Sequence, residues 1–343
     1  MSRLVRGLAA LALLTLSATA FAFVRSTTNS GQAPQPPLGL WWRPRQIAFQ
    51  VNASAFTGSG CDSPAAAATA VRDSFPAWMN ATRSGQTAAC TDFKFGDCGD
   101  TTRADLGFNS ENPETNVNLV VFRKGKCSAL SDSICHPADP NNLGPCIEKY
   151  NCWEDDDPSH SIDAIALTTV QFLQATGEIL DADMELNGWN GSLGPAATGM
   201  YFTCASPELG IAVPCDQSFG DANCIQFDIR NTVTHETGHV LGLDHVCLTS
   251  TDCPAGGSVM APTAQPGDTD KRTLKPDDIS AVCTIYPAGG PTVTTSSSTP
   301  TVAASSPQAC PTGAKSGCST GGAGALSLLG LGLFLLRRGR GLR

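Results

Sequence analysis

The sequence predicts an α+β domain with disulfide-rich loops, and three observations carry that reading. Short segments at 45–51, 92–95, 117–122, 162–172 and 179–186 are apolar or alternate in the manner of strands. Apolar residues recur at helical spacing in three other stretches, after Ser63, around His235 and from Pro276. The chain holds 15 cysteines, too many for a reducing compartment, and no C-x-x-C pair that would suggest a zinc ribbon. At 343 residues there is room for one sizeable domain or two small ones. The net charge is −9 with no Lys/Arg stripe, which excludes a nucleic-acid role, because phosphate binding needs a basic face. Charged residues make up only 15%, against 34 glycines and 23 prolines, as in a loop-rich secreted protein.

Residues 1–22 read as a secretory signal peptide. Arg3 and Arg6 precede a short apolar core at 8–16, and Ala20-Phe21-Ala22 fits a small-x-small cleavage site. A membrane anchor in its place would need about 20 apolar residues. Residues 23–44 are polar and rich in proline and glycine, and are expected as an extended N-terminal arm. The domain follows over 45–288. Its first strand is 45–51. Ser63 then suits an N-cap and Pro64 the first turn of a helix that carries Ala67, Ala70, Val71, Phe75 and Trp78, kinked or split at Pro76.

Residues 127–157 form an insertion. Cys127, Cys135, Cys146 and Cys152 stand there among Pro, Asn, Asp and Gly, a loop tied by two disulfides whose pairing is open. Glu154-Asp155-Asp156-Asp157 is compatible with Ca2+ through carboxylate oxygens. A solvated acidic turn is the favoured reading, since no EF-hand spacing is present. Cys204, Cys215 and Cys224 lie before the most informative stretch, where Asp228 or Asn231 suits the N-cap of a helix.

That stretch is His235-Glu236-Thr237-Gly238-His239-Val240-Leu241-Gly242-Leu243-Asp244-His245, and it holds three of the chain's 5 histidines. His235 and His239, four apart, project from one face of a helix about one turn apart. Glu236 lies beside them as a candidate base. Gly242 can adopt φ > 0, end the helix and let the chain return His245 as a third metal ligand. Zinc in catalytic sites typically has three protein ligands and one open position for water. Val233, Val240 and Leu241 are expected in the core, and Cys247 and Cys253 as locks on the loop after His245. A last helix begins at Pro276, with Asp277 and Asp278 at its positive end and Ile279, Val282, Cys283 and Tyr286 on one apolar face.

The eleven residues resemble the H-E-x-x-H-x-x-G-x-x-H motif of the metzincin zinc peptidases, and Ser258-Val259-Met260-Ala261-Pro262 resembles their Met-containing turn. The wording of the motif is most similar to the matrixin branch, as is Leu274-Lys275-Pro276-Asp277-Asp278-Ile279 leading to Ile285-Tyr286. The resemblance spans residues 45–287. It implies a metzincin-like (zincin) fold with a twisted mixed sheet, an active-site helix and a C-terminal helix. It implies catalytic Zn2+ on His235, His239 and His245, with Glu236 as general base toward zinc-activated water. Met260 would be a hydrophobic floor, neither ligand nor base. The strand at 177–187 would be the sheet edge that pairs with substrate backbone.

Three departures from the family pattern stand out. Asp183 occupies the position where a second-zinc histidine is expected, and only His136 and His160 remain, so a second zinc of that kind is not expected. The arm at 23–44 has no cysteine to hold the enzyme latent. Ala261 replaces a common tyrosine, so tyrosine-switch chemistry is not supported.

After residue 288 the composition changes. Residues 289–317 are rich in Ser, Thr and Pro and read as a flexible stalk. The tail at 318–343 contains Cys318, an apolar run at 321–336 and Arg337-Arg338-Gly339-Arg340. As a helix the run spans ~24 Å, short against a ~30 Å hydrocarbon core. Cysteine, apolar run and arginines together resemble a MYXO-CTERM-type bacterial sorting tail; an ordinary C-terminal anchor is the alternative. Thirteen cysteines fall within 61–283, so the odd count implies a free thiol or a bond to Cys310.

The expected protein is therefore an extracytoplasmic zinc endopeptidase, secreted or displayed at a bacterial surface. It would be a monomer acting on protein or peptide substrates, touching a membrane only through its tail. The competing class is a non-catalytic, metal-stabilised binding or adhesion module, whose mark would be a missing ligand or base.

Overall fold

The computed structural model describes residues 23–29, 31–33, 36–56, 61, 63–136, 144–155, 160–161, 164–188, 202–204, 227–249, 253–265, 267–294, 301–302 and 305–311. The expected signal peptide, Asp156 and Asp157, Cys215 and Cys224, and the tail from Cys318 lie outside the described residues.

The chain runs β1 (Val24–Arg25), β2 (Trp41–Trp42), β3 (Gln46–Asn52), α1 (Pro64–Arg72), α2 (Phe75–Met79), β4 (Lys94–Asp100), β5 (Asn118–Phe122) and α3 (Gly144–Tyr150). Then come β6 (Ala166–Phe172), β7 (Glu178–Leu186), β8 (Phe202–Thr203), β9 (Phe227–Asp228), α4 (Ile229–Val240), β10 (Leu243–Asp244) and α5 (Pro276–Ile285). The first long helix starts as its sequence dictates, with Ser63 Oγ accepting the Ala66 N–H. Pro76 splits rather than kinks: α1 ends at Arg72, and a separate short helix carries Pro76 in its first turn.

The main sheet is mixed. Its order is β4-β3-β5-β7, all parallel, with β6 antiparallel along the far side of β7 and β2 parallel to the first residues of β7. One face carries the apolar layer. Ile47, Phe49 and Val51 of β3, Val120 and Phe122 of β5, and Ala182, Met184 and Leu186 of β7 pack there with Val71, Phe75, Trp78, Val233 and Val282 from the helices.

The structure corrects one expectation about the sheet. The strand at 177–187 is not an edge: β7 has β5 on one side and β6 on the other, and β6 is the edge. The acids of β7, Asp181, Asp183 and Glu185, are all buried. Asp183 accepts the Leu119 and Gly107 N–H groups at 2.7 and 2.6 Å. Glu185 binds Arg123 at 2.7 Å and His160 Nε2 at 3.0 Å. These contacts satisfy Asp183 and Glu185, as buried polar groups require, whereas Asp181 Oδ2 is buried with no hydrogen bond among the described residues.

Disulfides join distant parts. Cys61–Cys204, Cys90–Cys283 and Cys98–Cys310 span 143, 193 and 212 residues. The insertion closes on itself through Cys127–Cys152 and Cys135–Cys146. Within its acidic run, the Asp155 carboxylate accepts the Ser128 N–H and O–H.

A second correction concerns the stalk. Residues 305–311 lie against the sheet rather than apart from it. Ser305 N–H donates to Arg43 O, and Gln308 N–H to Gln46 O. Gln308 Oε1 accepts the Ala48 N–H at 2.8 Å, and Cys310 is bonded to Cys98 of β4. The odd thirteenth cysteine thus finds its partner in Cys310. The N-terminal arm is likewise docked. β1 pairs with β10, and the Arg25 guanidinium, buried, donates to Leu40 O and Val293 O.

Candidate metal centre

Helix α4 is set at both ends. Asp228 Oδ1 accepts the Asn231 N–H at 2.6 Å, the N-cap bond, and its carboxylate also receives the Arg272 guanidinium. At the other end the last carbonyls need partners. Trp42 Nε1 donates to Val240 O at 2.7 Å, and the Tyr286 hydroxyl donates to Leu241 O at 3.0 Å. Burial pushes the Tyr286 phenol up to about 12, so it remains a donor at any working pH.

Gly242 has φ +85°, and a Cβ there would stand 2.6 Å from Leu40 O, so the reversal needs glycine twice over. The chain then forms β10 against β1, with Ser26 N–H donating to Gly242 O and Ser26 Oγ to Leu243 O. His245 follows directly.

The three histidines converge as their spacing predicts. Ring centroids stand 5.0 Å apart for His235 and His239, 5.3 Å for His235 and His245, and 4.7 Å for His239 and His245. Their ligating nitrogens lie within 4.8 Å of one another. Two of the rings have a fixed tautomer. His235 Nδ1–H donates to Val259 O at 2.5 Å, and His239 Nδ1–H donates to Leu243 O at 2.8 Å. A carbonyl can only accept, so both Nε2 atoms keep a free lone pair. His235 Nε2 is buried with no hydrogen bond among the described residues, and His239 Nε2 lies 3.1 Å from His245 Nε2. Burial, and then the neighbouring cations, hold His235 well below its ordinary value and His245 down to about 3. Neutral imidazoles with lone pairs pointed together suit a metal ion, and three nitrogens match the donor set of catalytic zinc. The cysteines at 127, 146 and 152 also converge, but they are spent in disulfides.

Glu236 is buried beside this cluster. Its Oε2 accepts the Thr168 hydroxyl at 2.7 Å, and its Oε1 makes no hydrogen bond among the described residues. Burial raises its pKa, against the pull of His239, Thr168 and Lys271.

Met260 is buried and lies under α4. A Cβ on Gly238 would stand 2.2 Å from Met260 Sδ. The turn that carries it is tied to α5: Asp278 accepts the Ser258 hydroxyl at 2.6 Å, the Val259 N–H at 3.1 Å and the Lys275 N–H at 2.7 Å. Asp278 therefore does more than favour the positive end of its helix. Cys247 and Cys253 bond to each other just after His245.

The structure adds residues that the motif did not reveal. Thr168, Gly238 and Ser26 have been placed above. Lys271 is the fourth. It is buried, with Nζ 2.5 Å from Ala261 O and 3.5 Å from His235 Nδ1. Burial lowers its pKa to about 8. The inward positions of β6 are otherwise apolar, so Thr168 carried a signal, a hydroxyl on a buried face. Lys271 carried none, since its neighbours in sequence are charged and ordinary.

Residues 155–287 match the matrixin family model. The matched region contains β6, β7, α4, the Met260 turn and α5, and it supports a matrixin-like metallopeptidase of metzincin fold. No curated protein matches the chain.

Proposed function

We propose that the chain is a zinc-dependent endopeptidase that cleaves protein or peptide substrates outside the cytoplasm. The observation that carries this is the pairing of three converging imidazoles with one buried carboxylate whose Oε1 makes no hydrogen bond among the described residues. His235, His239 and His245 would hold the ion. Bound zinc supplies Lewis acidity and a water acidic enough to lose a proton near neutral pH. Glu236 takes that proton on Oε1 and returns it to the leaving amine. Its raised pKa favours holding the proton between those two moments. The Val259 and Leu243 carbonyls orient the imidazoles, as outer partners of metal ligands do. Among the described residues β6 pairs with β7 alone, so its other side could receive an extended peptide. The long-range disulfides support an oxidising compartment.

The test is Glu236→Gln, which keeps the shape and removes the base. The variant should bind zinc as the wild type does and lose casein cleavage by about 10²–10⁴-fold. Wild-type activity should vanish with 1,10-phenanthroline and return with added zinc. A Gln variant that cleaves normally rules out the mechanism. A folded, zinc-loaded wild type without activity on any peptide library favours the adhesion-module reading.

A further inference from the structure

We infer that Thr168 is a positioning residue for Glu236, selecting which carboxylate oxygen serves as the base. The inference rests on the endopeptidase reading above. β6 alternates, with Leu167 packed on the outer face beside Trp153 and Ala164, and Ala166 and Val170 on the inner face toward α4. Thr168 falls on the inner face and is buried. A hydroxyl there needs a partner. Its Oγ1 lies 2.7 Å from Glu236 Oε2, and its other contact with that residue, the backbone carbonyl at 3.4 Å, is much longer. An ionised carboxylate only accepts, so the threonine O–H donates. The bond is charge-assisted, the stronger class of hydrogen bond.

The consequence follows from the geometry of a carboxylate. Left alone, Glu236 could rotate either oxygen toward the histidines, or turn away from them. Donation to Oε2 fixes that rotation. It leaves Oε1, buried and with no hydrogen bond among the described residues, as the oxygen available to receive a proton. His235 precedes Glu236 directly on α4, so the helix sets the position of the carboxylate stem and β6 sets its twist. Among the described residues the strand that holds the base is also an edge of the sheet. Substrate register and base orientation are therefore governed by one element.

The experiment uses the full secreted chain, zinc-loaded, with Thr168→Val, Thr168→Ala and Thr168→Ser, each alone and combined with Glu236→Gln. Kinetics are read on a fluorogenic peptide that the wild type cleaves, alongside zinc content and Tm. Thr168→Val deletes the donor at constant shape and should lower kcat by about 10–100-fold with KM and zinc content unchanged. Thr168→Ser restores the donor and should recover most of that loss. In the Glu236→Gln background the Val substitution should have no further effect, because there is no base left to orient. Where Thr168→Val fails to fold, Thr168→Ala read against Thr168→Ser carries the same comparison. A Val or Ala variant with wild-type kcat overturns the inference, as does a Ser variant as impaired as Val, which would make the role one of packing. If Glu236→Gln itself keeps full activity, the endopeptidase reading fails first; if it is inactive while Thr168→Val is not, only the positioning role fails.

Discussion

Gly238 lies between the first two histidines on the helix, where a glycine ordinarily weakens the helix by about 1 kcal/mol relative to alanine. Here the absence of a side chain lets Met260 reach the helix backbone. A Cβ would stand 2.2 Å from Met260 Sδ and 3.1 Å from Trp78 Cζ2, and both of those side chains are buried. Gly238→Ala should therefore destabilise the zinc-loaded protein by about 1–3 kcal/mol despite its better helix propensity. Denaturant unfolding measures this, and an alanine variant at least as stable as wild type would refute the packing argument. The spacing of the three histidines made the ligands and Glu236 legible, because ligand geometry is a local property of helix pitch. The residues that orient them were legible only in part. Gly238 went unread, although a glycine inside a helical pattern is a signal of close packing. Lys271 and Ser26 reach the site from remote segments, and nothing in their local sequence says so.

At the scale of elements, strands and helices were readable wherever one face is buried, as in β3, β5, β7 and α5. The edge was misassigned because it was carried over from the family resemblance, and the alternation within one strand does not say which strands flank it. The segment after residue 288 was misread for a related reason. Its Ser/Thr/Pro composition lacks any apolar period, yet residues 305–311 are held by backbone hydrogen bonds, one glutamine amide and a disulfide. Only the odd number of cysteines hinted at this. The Cys98–Cys310 bond closes a separation of 212 residues, long enough to restrict the unfolded chain substantially. Cys310→Ser should cost about 2–5 kcal/mol. A urea midpoint equal to that of wild type, with the remaining disulfides verified by mass, would show that residues 305–311 merely rest on the sheet. Truncation just after residue 311 should preserve stability, whereas truncation after 290 should lose at least as much as the serine variant.

Across the whole molecule, the two faces of the sheet do different work. The inner face builds the metal centre, and the outer face buries three carboxylates beneath loops. Burial, and then the Asp183 charge, raise Asp181 well above its ordinary value; burial, and the Glu185 charge, bring Asp183 to about 6 against the pull of the Leu119 and Gly107 N–H groups. The two carboxylates lie on one face of β7 and repel when both are charged, which favours a proton on the pair. Glu185 behaves oppositely: burial pushes it up, but Arg123 and His160 outweigh that and hold it at about 2. Both effects are linked to folding. An unfolded aspartate titrates near 3.9, so the Asp181–Asp183 pair binds protons more tightly when folded. Its contribution is complete below about pH 4 and is lost as pH rises through about 6 and beyond. Glu185 contributes above about pH 4.3 and loses that contribution as pH falls through about 2. The protein should therefore be most stable in mildly acidic solution and weaken toward pH 8. Asp181→Asn removes one titrating carboxyl of the pair and its charge, and should flatten this decline by up to about 1.4 kcal/mol per pH unit. Unfolding free energies of wild type and variant, compared at pH 5 and pH 8 with equal zinc, isolate the pair, since proton linkage at the histidines is common to both. Parallel pH profiles would show that no proton is held between Asp181 and Asp183.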